Sequence, residues 1–147
     1  MSTFRTCLLA LMLIVPASAL AAEQQKQATL YKNPQCGCCE GHAEYLRSNG
    51  IQVKTVETHN MSLIRRQHGV TDKFVGCHIM LIEGYVVEGH VPVSAIRKML
   101  TERPKITGIS LPGMPEGSPG MGGTKTAPFE VLEIGDAQGK PRVYAVE

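Results

Sequence analysis

Cys36-Gly37-Cys38-Cys39 is the feature that most limits what this chain can become. Three thiols within four residues need a sharply turning backbone, which Gly37 permits. Before the cluster, ATLYK (28–32) suits a short buried strand and NPQCG supplies turn residues. After it, CCEGHAEYLRSN (38–49) suits a helix, with Gly50 placed as its C-terminal stop. The cluster therefore falls between a strand end and a helix start. Thiols there have two uses. Helix-terminal N–H groups favour thiolate, which suits thiol–disulfide exchange by the C-x-x-C pair Cys36 and Cys39. The same thiolates can clasp a soft metal ion. Cys38 weighs toward metal, because a dithiol exchanger needs one attacking and one resolving thiol and a third invites mispairing. Two ordinary disulfides are the structural alternative, although CGCC makes their geometry cramped.

The rest of the chain supplies a frame. IQVKTVE (51–57) largely alternates and reads as a half-buried strand. Asn60 can cap a short helix, MSLIRRQH, closed by Gly69. HIMLI (78–82) suits an interior strand, and Glu83-Gly84 turns it into YVVEG. A third helix runs from Pro92 through Leu100 and is stopped by Pro104. A helical crossover between the first two strands implies a parallel pair, and the hairpin adds antiparallel strands. This order is that of a thioredoxin-like α/β fold with its cysteine motif at the end of the first strand. Residues 104–128 show no helical or strand period and read as a long Gly/Pro/Met loop, functional or folded over the domain. FEVLEI (129–134) and RVYAVE (142–147) read as a C-terminal β-hairpin around GDAQGK.

Residues 1–22 read as a secretory signal peptide. Arg5 gives a positive start, LLALMLIV (8–15) is the apolar run, Pro16 breaks it, and ASALAA offers cleavage after Ala19, Ala21 or Ala22. An uncleaved anchor is the alternative, but the run is short for a bilayer. Cys7 leaves with this leader. The expected mature chain, 23–147, is one periplasmic domain with no membrane span. It is large enough to fold without covalent staples, yet it keeps Cys36, Cys38, Cys39 and Cys77. Lys plus Arg number 15 and Asp plus Glu 13, a balance that excludes nucleic-acid binding through a general basic surface. Aromatic residues are 5% and Trp is absent, which argues against a stacking platform.

Cys77 precedes the third strand, in a loop that a thioredoxin-like fold places opposite the start of the first helix. Proteins of that fold usually carry a proline there. This chain has Gly76-Cys77-His78, which departs from an ordinary disulfide exchanger and offers a fourth sulfur. A buried, inert thiol is the alternative for Cys77. His42 lies on the helix face of Cys38 and Cys39. His78 adjoins Cys77, and His90 precedes the third helix at the same mouth. Each is a candidate ligand or an ordinary hydrogen-bonded histidine. His59 and His68 flank the second helix and read as exposed. Met114 and Met121, in PGMP and SPGM, are thioethers suited to Cu(I), or apolar anchors for their loop. Met61, Met80 and Met99 read as core.

YKNPQCGCCEGHAEYL, GCHIMLIEGYVVEGHVP and LPGMPEGSPGM together resemble the CopG-type periplasmic copper-resistance proteins, a family long catalogued as a domain of unknown function. The resemblance runs over residues 28–147. It implies a thioredoxin-like fold, copper as the bound metal, and a cysteine cluster that supports Cu(I)/Cu(II) conversion. Carried onto this chain, it points to Cys36, Cys38, Cys39 and Cys77 as copper ligands. Cys36 and Cys39 are then the redox pair, and several ions per chain are possible because thiolates bridge. His42, His78, His90, Met114 and Met121 match as further ligands. Such cycling requires a periplasmic electron or copper-transfer partner. A passive copper carrier, a metal-independent thiol–disulfide oxidoreductase and a structural zinc site are the competing readings.

Overall fold

The computed structural model describes residues 26–135 and 141–147. The leader expected at 1–22 lies outside them, as does most of the turn GDAQGK. Strand β1 (Gln27–Lys32) leads into helix α1 (Gly37–Ser48), followed by β2 (Gln52–Glu57) and α2 (Met61–Gln67). A 3-10 turn at Asp72–Phe74 precedes the hairpin of β3 (Ile79–Ile82) and β4 (Tyr85–Gly89). Helix α3 (Val93–Glu102), β5 (Gly108–Leu111), β6 (Glu130–Ile134) and β7 (Val143–Val146) complete the order. The strands form one seven-stranded sheet, β2-β1-β3-β4-β5-β6-β7. β1 and β2 are parallel, β3 runs antiparallel to β1, and β4 antiparallel to β3.

Alternation along the central strands divides the core between two faces. Met80, Ile82 and Val87 join Ala43 and Leu46 of α1 and Ile96 and Met99 of α3. Ile79 and Val86 join Phe74, Val70 and Ile134, with Met61 and Ile64 of α2 packed against them. The sheet is thus covered on both sides. Of the methionines expected in the core, Met80 and Met99 are fully buried, and Met61 is partly so. The helix ends follow local chemistry. α1 closes at Asn49, followed by Gly50 at a φ of 82°. α3 reaches two residues beyond the expected Leu100, ends in left-handed Arg103, and is followed by Pro104. Asn60 stands at the N-terminus of α2 without a side-chain capping bond.

The expectation that residues 104–128 lack a strand is corrected by β5. GISL is buried at all four positions, pairs parallel with β4 and antiparallel with β6. A strand buried on both faces has no reason to alternate, and four residues that begin with Gly108 and run into Pro112 look like loop. The remainder of the segment is folded over the domain. Gly120 lies against Gly41 and His42 of α1, so close that a Cβ there would meet the His42 backbone nitrogen at 2.3 Å.

Gly108 permits the β4–β5 contact, because a Cβ on it would lie 1.9 Å from the Val86 carbonyl oxygen. Gly108→Ala is therefore expected to destabilise the fold by at least about 2 kcal/mol in urea unfolding, an overpacking cost. Gly122→Ala, where a Cβ meets nothing within 4 Å, is expected to stay within about 0.5 kcal/mol.

Candidate metal centre

Asn33 builds the turn that presents the cysteine cluster. Its side-chain oxygen accepts from the Gln35 N–H at 3.1 Å and its carbonyl from the Cys36 N–H at 3.0 Å. The chain leaves β1, turns within four residues and enters α1, with Cys36 at the N-cap position and no side-chain capping bond. Buried Lys32 braces this turn, reaching Glu57 at 3.2 Å.

Cys77 arrives from the segment before β3 and completes the site. Its sulfur lies 3.0 Å from that of Cys36, 3.1 Å from Cys39 and 3.3 Å from Cys38, while Cys36 and Cys38 are 3.5 Å apart. Cys36 and Cys39 are joined as a disulfide; Cys38 and Cys77 are free thiols. Cys39 is fully buried and the other three sulfurs are half-buried. Sulfurs sharing one tetrahedral ion at about 2.3 Å stand about 3.8 Å apart. Seating a metal among all four thus requires opening the disulfide and a small outward movement. Burial, and then hydrogen bonding to Cys38, push the Cys77 thiol up to about 12. It is protonated at neutral pH and releases that proton when it binds a metal.

Three fully buried histidines lie beside the sulfurs, with ring centroids 4.8 to 5.1 Å apart. Their partners dictate their tautomers. The Val91 carbonyl, 3.0 Å from His42 Nε2, requires a proton on that nitrogen and leaves Nδ1 a lone pair. That lone pair, 2.7 Å from His78 Nε2, accepts a hydrogen bond from the N–H there and leaves His78 Nδ1 bare. The Pro119 carbonyl, 2.8 Å from His90 Nδ1, requires the proton on that atom and leaves Nε2 bare. His78 Nδ1 and His90 Nε2 are the two buried histidine nitrogens without a hydrogen-bond partner among the described residues. Cys77, His78 and His90 offer ligand atoms within 4.8 Å of one another, as do the four cysteines. Cys77 belongs to both groups. Buried, unpartnered lone pairs beside soft sulfur are what a metal site requires.

This chain is similar to two solved structures described as copper resistance protein CopG, Form 2 and Form 1, at 34% identity to each. The first match covers 84% of this chain and 99% of the other with a TM-score of 0.76; the second covers 82% and 96% with a TM-score of 0.74. The chain belongs to the CopG family. A family model described as a protein of unknown function, DUF411, matches residues 74–121. No curated protein sequence matches. The DUF411 match spans Cys77, His78, His90, Met114 and Met121 but not CGCC.

For this CopG-family chain the structure brings together Cys36, Cys38, Cys39, Cys77, His78 and His90. His42 touches His78 but falls outside both ligand groups, and both of its ring nitrogens are engaged. Met121 follows the glycine that packs on His42, and Met114 is 57% exposed. His59 is exposed and His68 half-buried, beside α2. Two residues escaped sequence reasoning. Glu88 is fully buried and Arg65 of α2 reaches it at 2.7 Å. The signal was a carboxylate inside the apolar run YVVEG.

Burial lowers the basicity of all three histidines: His42 to about 4, His78 well below the ordinary 6.5, and His90 in the same direction. The unfolded chain therefore binds more protons than the folded one below the ordinary value. The thermal midpoint of the metal-free protein is expected to be level between about pH 7 and 8 and to fall as pH drops from about 6.5 toward 4, with a shallower slope in His42→Gln.

Proposed function

We propose that this protein is a periplasmic copper-binding protein of copper resistance that holds Cu(I) through Cys36, Cys38, Cys39 and Cys77 and interconverts Cu(I) and Cu(II). The observation that carries this reading is the convergence of four sulfurs with two buried, bare imidazole nitrogens. Thiolate favours Cu(I) and imidazole accepts either oxidation state. His78 and His90 serve as ligands, and His42 fixes the tautomer of His78. Met114 and Met121 serve the exposed side, where copper arrives or leaves. The periplasmic location rests on the leader read in residues 1–22. The strand order β2-β1-β3-β4 and the cysteine turn between β1 and α1 support a thioredoxin-like reading of the first four strands.

The Cys36–Cys39 disulfide suggests the source of electrons. Two Cu(II) ions take one electron each from the thiols of Cys36 and Cys39 and become Cu(I). The two sulfurs join as the disulfide, and their protons go to solvent. Cys38, Cys77, His78 and His90 remain as ligands for Cu(I), and a periplasmic reductant of the dithiol class resets the pair.

Native mass spectrometry of the reduced protein under anaerobic Cu(I) titration tests the binding. More than one copper per chain is expected, with loss of bound copper in Cys77→Ser and in Cys36→Ser/Cys39→Ser; wild-type loading in both variants rejects the site. For the redox step, mixing reduced protein with Cu(II) is expected to yield one disulfide per two Cu(I) formed, measured by mass spectrometry and a Cu(I) chelator. The same disulfide also favours a second reading, metal-independent thiol–disulfide exchange. Catalysis of insulin reduction by metal-free protein, with no copper retained, would establish it instead.

A further inference from the structure

Cys77 is the one sulfur of the four that does not come from the 36–39 turn, and its segment lies outside the main ladder. Val75 ends the 3-10 turn and Ile79 begins β3. Between them, Gly76 makes an isolated bridge with Gly113. The Gly113 N–H donates to the Val75 carbonyl at 3.0 Å and the Gly89 N–H to the His78 carbonyl at 2.8 Å, which hold the two ends of this stretch; its middle, at Gly76, has a separate tie. Glu88 Oε1 accepts three hydrogen bonds: from Arg65 Nε at 3.0 Å, from Arg65 Nη2 at 2.7 Å and from the Gly76 N–H at 2.9 Å. Arg65 Nη2 also donates to the Gly76 carbonyl at 3.0 Å. Both polar groups of the Gly76 backbone are thus tied to one ion pair. Glu88 is fully buried and Arg65 is 14% exposed. A Cβ on Gly76 would lie 2.6 Å from the Gly89 Cα, so the clamp acts where the loop is pressed on β4.

A buried ion pair is a costly way to gain stability, since apolar residues of similar volume usually do as well. What it supplies here is a fork of fixed geometry that grips a backbone from two directions. We infer that Arg65 and Glu88 are positioning residues that clamp Gly76 and so hold the Cys77 sulfur over the CGCC turn. The inference rests on the proposed copper site for its purpose, but the clamp itself is readable without copper.

Removing one partner strands a buried charge and threatens the fold. The first variant is therefore the double replacement Arg65→Met/Glu88→Met, made in the full chain, with Glu88→Gln and Arg65→Lys beside it. The metal-free protein, with the Cys36–Cys39 disulfide intact, is alkylated with iodoacetamide, and the rates at Cys77 and Cys38 are compared by mass spectrometry. Cys38 lies on α1 and serves as the internal reference. In the double variant, folded by circular dichroism, the Cys77-to-Cys38 rate ratio is expected to rise about tenfold, equivalent to ~1.4 kcal/mol. Arg65→Lys, which keeps the charge and loses the fork, is expected to fall between. Copper bound per chain in the reduced double variant is expected to drop to the level of Cys77→Ser. A wild-type ratio in the folded double variant overturns the clamp; if that variant does not fold, the same ratio in Glu88→Gln decides. A raised ratio in a protein whose wild type binds no copper keeps the clamp and rejects the copper reading.

Discussion

Everything at the site depends on bringing the Cys77 sulfur within 3.3 Å of three others that sit 38 to 41 residues away. The CGCC turn alone supplies three sulfurs on one side of a space. The fourth closes it, and it can do so only if β1 and β3 are neighbours. Antiparallel pairing sets Tyr31 opposite Ile79. That register puts the chain leaving β1 beside the chain entering β3, so the two cysteine segments meet at one end of the sheet. The register follows from burial: a slip by one residue would exchange the two faces of β3, moving Met80 and Ile82 out of one core cluster and Ile79 out of the other.

The histidines near the sulfurs are organised by backbone carbonyls rather than by charge. Val91 and Pro119 each demand a proton from a ring nitrogen, and the demand passes through His42 to His78. The outcome is two lone pairs turned toward no protein partner. Burial keeps the rings neutral, which is the state in which imidazole binds metal. Such nitrogens are expensive to hide without a ligand, which is what makes the cluster a candidate metal site. The Gly/Pro segment contributes directly, because the Pro119 carbonyl belongs to it and Gly120 seats it on α1.

Under the proposed function, redox state and metal occupancy would be linked by the same four sulfurs. Cys36 and Cys39 cannot both donate to a metal and be bonded to each other. With the disulfide closed, the free sulfurs are Cys38 and Cys77, and the latter is shared with the histidines. The molecule thereby has two candidate ligand sets within one space, one rich in sulfur and one mixed.

Local chemistry wrote most of this into the sequence. CGCC between an apolar strand and a helix, Gly50 and Pro104 as stops, and Glu83-Gly84 as a hairpin turn are short-range instructions, legible because each acts over a few residues. β5 was not legible, since a strand buried on both faces carries no alternation. Arg65 and Glu88 were not legible either, because one reads as an ordinary helix charge and the other as an ordinary strand residue until α2 is laid on the sheet. The sequence determined that Cys36, Cys38, Cys39 and Cys77 and the candidate histidines His42, His78 and His90 were present and which of them lay on turns. Only the tertiary structure decided that Cys77 joins CGCC, that His42 faces His78 and a carbonyl, and that two nitrogens are left bare. Those outcomes depend on strand register and on hydrogen bonds between residues far apart in the chain, and neither has a local signature.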